Sequence, residues 1–283
     1  MRKIIAISVL AICSSISNAQ TDFFGGLAPS KKNPIINLPN KPNKIDEQGR
    51  KQGEWAKKYP NGRYVYVAKF VDNKPVDTLK RYSDNGNLSM YQIFYPTNDS
   101  CHVVVFNENG GKESEGNYYR EQKDGIWHFF DVKGNIIAKT PYSMGQINGA
   151  SITYYPTGEV LDVIHYEKDV QHGDWTRYYK SGAIQIKASY YKGKQHGHYK
   201  VINDNGDVSI EGVYNQGKQI GEWKVLDIDT RKHVIMKYDN NGNLLNKDEL
   251  DKRNQERLDY YEKNRHTLED PALQINDPSS YGF

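Results

Sequence analysis

Gly173-Asp-Trp-Thr-Arg-Tyr-Tyr-Lys-Ser-Gly182-Ala-Ile-Gln-Ile-Lys-Ala-Ser-Tyr190-Tyr-Lys-Gly193-Lys-Gln-His196 is one unit of a pattern that runs through most of the chain. Its opening glycine recurs at 125, 149, 173, 197 and 221, a step of 24 residues. The same step taken backwards lands on Cys101, Asp77 and Gly53, so this column fails twice. Two other columns are firmer. Nine residues after each start stand Gly62, Gly86, Gly110, Gly134, Gly158, Gly182 and Gly206, with Thr230 the exception. Seventeen after each start stands an aromatic every time: Phe70, Phe94, Tyr118, Tyr142, Tyr166, Tyr190, Tyr214 and Tyr238. A fixed period of this length marks a repeat architecture, in which each unit leans on its neighbours.

Each repeat reads as two strands. The first covers Trp175 to Tyr179 in the quoted unit. A turn follows, as in Tyr59-Pro-Asn-Gly62, Ser83-Asp-Asn-Gly86 and Asn203-Asp-Asn-Gly206. Pro, Asp or Asn early and Gly last suit a type I turn closed by a glycine with positive φ. The second strand alternates, with Ile184 and Ile186 on one face and Gln185 and Lys187 on the other. A second glycine-rich turn, as in Gly193-Lys-Gln-His-Gly197, leads to the next unit.

The expected fold is all-β: an elongated single-layer antiparallel meander of about eight hairpin repeats over 49–245, closed by a C-terminal capping helix. Roughly sixteen strands at ~4.8 Å give ~70 Å. One conflict stands open. The Trp column (Trp55, Trp127, Trp175, Trp223) and the aromatics three positions later (Phe130 and Tyr178, for example) differ by an odd number. Either both faces carry aromatics or a bulge intervenes.

Composition agrees with a thin sheet. Hydrophobic residues make up 37% of the chain, yet it holds 22 tyrosines and 24 glycines. Strict aromatic periodicity argues against disorder. Net charge is +3, and no concentrated basic patch with interleaved aromatics marks a nucleic-acid partner.

Residues 1–19 read as a secretory signal: Arg2 and Lys3, an apolar run over Ile4–Ile12, and small residues at Ser17 and Ala19 before Gln20. The run is too short to span a bilayer. Leu10-Ala-Ile-Cys13 offers lipidation at Cys13 as an alternative, although Ile12 is larger than the small residue expected there. Residues 20–48, with Pro29, Pro34, Pro39 and Pro42, read as an extended linker. Over 246–283 the repeat gives way to a charged helix and a tail, with Leu250, Leu258 and Tyr261 as its apolar stripe. Cys101 is the second cysteine, read as a small residue in a turn or as a reactive thiol.

At Gly193-Lys-Gln-His-Gly197, and at Gly53-Glu-Trp55 with Tyr59-Pro-Asn-Gly62, the pattern resembles MORN repeats, in the bacterial variant form found in some antitoxin-like proteins. The resemblance covers about 49–244 and weakens at Asp77, Cys101 and Thr230. It implies a scaffold or a protein- or lipid-contact module, and admits an antitoxin-like immunity role.

A search for chemistry finds no catalytic set and no cofactor motif. His172 and His196 hold equivalent positions in adjacent repeats, with His198 nearby. Equivalent positions two strands apart are separated by roughly 10 Å, too far to share a zinc held at ~2 Å. No metal site is expected. The candidate binding residues are the aromatic columns: Trp127, Trp175, Trp223, Tyr142, Tyr166, Tyr190 and Tyr214. These readings point to an exported, non-catalytic scaffold, periplasmic, outer-membrane-associated or secreted. Its partners would be envelope or secretion-related proteins, with glycan or peptidoglycan binding as the alternative.

Overall fold

The computed structural model describes residues 38, 41–96, 99–228 and 230–264. The expected signal segment, Cys13, most of the linker and most of the tail lie outside the described residues. The chain divides into two compact units between Lys194 and Gln195. The first unit holds β1 (Lys44–Ile45), β2 (Lys51–Lys58), β3 (Tyr64–Val71), β4 (Lys74–Tyr82), β5 (Leu88–Phe94), β6 (Ser100–Phe106) and β7 (Lys112–Tyr119). It continues with β8 (Gln122–Phe130), β9 (Ile136–Ser143), β10 (Gln146–Ile147), β11 (Gly149–Tyr154), β12 (Val160–Glu167), β13 (Val170–Tyr178) and β14 (Ile184–Tyr191). The short β15 (Lys194–Gln195) falls at the division. The second unit holds β16 (Gly197–Ile202), β17 (Val208–Asn215), β18 (Lys218–Leu226), β19 (His233–Tyr238) and α1 (Lys247–Lys263).

Within each unit the strands form an antiparallel meander of hairpins. The fold class is the one the repeat columns predict. Its start is earlier: Lys44 and Ile45, inside the stretch read as linker, already pair with Gln52 and Lys51.

The first turn of each hairpin is built as its residues demand. Gly62 N donates to Tyr59 O at 2.9 Å, Tyr59 N donates to Arg63 O at 2.8 Å, and Gly62 has φ +83. One extra residue then sits in the following strand: Arg177 pairs with Ile186 but Tyr178 with Ile184, leaving Gln185 over. The repeat starting at Gly221 solves the same problem differently. There Asp227 N reaches Lys232 O, Arg231 takes the positive φ of +55, and the β18–β19 ladder runs without a shift. The longer loop replaces the bulge, so Tyr238 keeps its place opposite Gly221.

The second turn is a two-residue hairpin with positive φ at both positions, the type I′ geometry that matches sheet twist. Glycine serves its second position at 145, 193 and 217, but Arg120 (φ +46) and Glu121 (φ +65) adopt it without glycine. Replacing Glu121 with Gly is therefore expected to stabilise the protein by about 1 kcal/mol. A thermal melt that shows no rise in midpoint would count against strain at this turn.

The opening glycine column marks a second irregularity. Glu115 pairs with His128 and Asn117 with Asp124, so β8 carries two more residues than β7 across this interval, around Gly125 with φ +72. The same excess surrounds Gly173 and Gly221. Asp77 preserves it, with Val67 paired to Lys80 and Lys69 to Val76, by itself taking φ +65. Aspartate tolerates this region better than most residues. Cys101 does not: β5 and β6 pair without a shift from Met90–Val105 to Phe94–Cys101. The Cys101 repeat is irregular because its ladder is regular.

The parity conflict resolves as aromatics on both faces. From Trp175 to Arg177 the pairing runs residue by residue, and the extra residue beyond it lies in β14, so Trp175 and Tyr178 point oppositely. On the Trp face the first unit has a core of Ala68, Phe70, Leu79, Met90, Cys101, Val103 and Trp127. Cys101 is fully buried, which fits a packing role for its thiol. On the opposite face Val104, Tyr82 and Phe106 are buried, with Tyr91 and Phe106 rings 5.9 Å apart.

Candidate functional site

The aromatic face is assembled by the two irregularities described above. The excess residues around the opening position swing Trp127 and Trp223 over the strand before each. Trp127 lies on Gly116 so closely that a Cβ there would stand 2.4 Å from the indole Cδ2. Trp223 lies on Gly212 in the same way, at 2.2 Å. Both indoles donate to backbone beside their seat, Trp127 Nε1 to Asn117 O at 3.0 Å and Trp223 Nε1 to Val213 O at 3.2 Å. Each is 2% exposed.

Trp175 has Ile164 across from it instead of glycine. It stays half-buried, and its Nε1 donates to Asp162 Oδ1 at 2.8 Å. Asp162 is itself buried and also accepts from Arg177, Nε to Oδ1 and Nη2 to Oδ2, both at 2.9 Å. This bidentate pairing pushes the Arg177 pKa up.

The seventeenth-position aromatics fill the spaces between the tryptophans. Tyr118 and Tyr142 flank Trp127 with ring centroids at 5.2 and 6.3 Å, both edge-on. Tyr190 stands 6.3 Å from Trp175. Tyr214 stands 4.8 Å from Trp223, which stacks on Tyr199 at 5.8 Å. Such pairs contribute roughly 0.5–1.5 kcal/mol beyond burial. Lys123 lays its ammonium 4.3 Å from the Trp127 ring and 4.8 Å from Tyr142, and burial pushes its pKa down. The Lys51 ammonium lies 4.7 Å from the Trp55 ring and 4.9 Å from Phe70.

The seven candidate residues thus separate by environment. Trp127 and Trp223 are covered, and Tyr142 and Tyr214 brace them. Tyr142, Tyr166, Trp175, Tyr190 and Tyr214 are half-buried, and Trp175 bonds Asp162 of the Asp162–Arg177 pair.

The opposite face carries a polar group: His102 Nδ1 lies 3.0 Å from Asn117 Oδ1, and Lys112 bonds Glu115 at 2.8 Å. Shallow, open clefts lie there between successive first turns, as between Ile136, Lys139, Tyr154 and Pro156. His172 meets Glu167 at 3.4 Å and the Tyr191 ring at 5.1 Å. Among the described residues no group of three or more His, Cys, Asp or Glu is placed to hold a metal ion. No helix among them is long and apolar enough to cross a membrane.

The end strands are occupied. On β2, Asn43 N donates to Glu54 O, and its side chain takes both backbone groups of Ala56, Nδ2 to O at 3.1 Å and N to Oδ1 at 2.8 Å. On β19, Asn246 Nδ2 donates to Ile235 O and Lys237 N donates to Asn246 Oδ1, both at 2.9 Å, while Leu245 N donates to Lys237 O.

Glycine-started hairpins, bulges that seat a Trp on the preceding strand, and a recurring aromatic face resemble repeats of the MORN type. The family described as MORN repeat variant matches residues 171–192, which run from β13 to the turn after β14. The chain resembles that family, whose members are generally non-catalytic repeat modules with a binding role. No curated protein matches the chain. Among solved structures it is similar to a chain of the GtfA/B complex bound to UDP and GlcNAc, at 14% identity and TM-score 0.20. That likeness covers 41% of this chain and 22% of the other, and at this TM-score it bears on nothing further.

Sequence reading missed Asp162, the glycine seats and the two asparagines. The seats had a signal: Gly116 and Gly212 stand off the turns, each eleven residues before a Trp. The asparagines had none, because they act once each and outside the period.

Proposed function

We propose that this chain is an exported, non-catalytic scaffold of the periplasm or outer membrane that binds an envelope or secretion-related protein through its aromatic face. The observation that carries this reading is the division of the aromatic columns. Trp127 and Trp223 are covered, whereas the Trp175 ring stays half-buried beside a charged pair, and backbone groups of both end strands are engaged. Partly open aromatic rings with an adjacent arginine are the residue types that dominate protein interfaces. Residues 1–19 support export by their charged start and apolar run.

The test is crosslinking in intact host cells, followed by capture of the tagged protein and mass spectrometry. One or two envelope proteins are expected, with recovery reduced about tenfold by Trp175→Ala with Tyr190→Ala, a change of about 1.4 kcal/mol. Circular dichroism confirms that the variant is folded. Undiminished recovery from a folded variant, or fractionation of the protein with the cytosol, overturns the reading. The Trp175 ring beside the Asp162–Arg177 pair also suits a sugar, stacking on one face and hydrogen-bonding at its edge. Co-sedimentation with insoluble peptidoglycan, lost in the same variant, would favour that alternative.

A further inference from the structure

The two asparagines occupy matching places in the repeat. Inside the sheet, the residue fourteen after one start pairs with the residue three after the next: Val67 with Lys80, Glu115 with His128, Val163 with Thr176, Glu211 with Lys224. Ala56 is the third-position residue of β2, and Ile235 is the fourteenth-position residue of β19. Asn43 bonds both backbone groups of Ala56, and Asn246 bonds Ile235 O. Each carboxamide stands at the rung where the neighbouring repeat would pair. The cost is visible at both ends. Asn43 adopts φ +67, and Asn246, the N-cap of α1, spends its side chain on the strand and makes no cap bond.

We infer that β2 and β19 are complementary halves of one interface, that their partner is a second copy of this chain, and that Asn43 and Asn246 hold the copies apart. Joined in the repeat register, Ile235 pairs with Ala56 and Val234 with Lys57, as Glu211 pairs with Lys224 and Ile210 with Val225. The Trp faces then coincide, with Met236 across from Trp55 where Gly212 meets Trp223; Ile164 opposite Trp175 shows that this place accepts a larger side chain. A contact between different ends is heterologous, so copies add head to tail, into a ring where the rotation closes and an open chain where it does not. The barrier is local. β1 has two residues and leans on the three bonds of Asn43, and so short a strand is marginal alone.

The test compares full-length protein with and without Asn43→Ala and Asn246→Ala, each also carrying Lys57→Cys and Val234→Cys. This pair is non-hydrogen-bonded in the repeat register, where side chains approach most closely. Sedimentation is expected to show monomer with both asparagines present and concentration-dependent oligomers without them. Peptide mapping is expected to show at least a tenfold rise in the intermolecular 57–234 disulfide. A folded double variant that stays monomeric overturns the inference. Oligomers lacking that disulfide overturn it too, because they mean open edges without a preferred partner. If the alanine variant unfolds, Asn43→Asp with Asn246→Asp keeps the shape, removes the donors to Ala56 O, Ile235 O and Glu249 Oε2, and sets a negative charge against those oxygens. The same two readouts then apply.

Discussion

Gly116→Ala destabilises the first unit by about 3 kcal/mol, at the upper end for overpacking a close-packed site. The added methyl would stand 2.4–2.5 Å from three indole atoms of Trp127, on strands already fixed by their ladder. The backbone has no room to yield, so the ring must lift. Lifting breaks the Trp127 Nε1 bond to Asn117 O, parts the ring from Tyr118, Tyr142 and Lys123, and admits water to a core residue. Two readouts follow: a lower denaturation midpoint and a red-shifted tryptophan emission. Adding Trp127→Leu should restore part of the loss, giving a favourable coupling between the two sites. Gly134→Ala is the contrast. Nothing lies within 4 Å of its Cβ, so it suffers only from the backbone at φ +88 and leaves the emission unmoved. Equal emission shifts in the two variants would sink the seat interpretation. Gly212→Ala is the matching change beneath Trp223 in the second unit.

The repeat was legible because its determinants are local and recur. A turn needs its left-handed residue at a fixed place, and an aromatic beside a thin sheet needs a partner one strand away. The glycine and aromatic columns therefore show in the sequence. What stayed hidden acts once, or across the ladder. Asp77 and Cys101 look alike as failures of one column, yet Asp77 keeps the bulge at φ +65 and Cys101 loses it. The difference is how each residue type tolerates positive φ, which a residue count does not weigh. The candidate binding residues were legible as a face, but the sequence ranks Trp127 and Trp175 equally. Gly116 opposite one and Ile164 opposite the other decide which ring stays open. The helix was legible in place, while what holds it was not. Leu258 is exposed and no residue of α1 is buried, so the apolar stripe of Leu250, Leu258 and Tyr261 is not what holds it.

Asp227→Ala is expected to free α1 and cost about 3 kcal/mol, as removing one partner of a buried ion pair does. The side chain of Asp227 is 3% exposed and receives Arg253 Nη2 at 2.6 Å and Arg257 Nη1 at 3.3 Å. Its other oxygen accepts from Thr230 N at 3.1 Å, which orders the long turn before β19. The two arginines come from successive turns of the helix, four residues apart, so one carboxylate fixes both its position and its rotation. Lys252–Glu256 on the exposed side, at 4.0 Å, contributes little by comparison. Hydrogen exchange over 247–263 should rise to that of a free peptide, because an isolated helix of this length and polarity is marginal in water. The β-sheet signal of the second unit should persist. Salt separates the buried clamp from surface attraction. In 1 M NaCl the native helix stays protected, since a charge with 3% exposure is screened far less than an open one. Loss of protection in salt alone, or full protection in Asp227→Ala, would mean that something other than this carboxylate holds the helix. If Asp227→Ala behaves as expected while Asn246 stays bonded to β19, the strand cap and the helix clamp are separate devices. The end strand then stays closed when the helix is released.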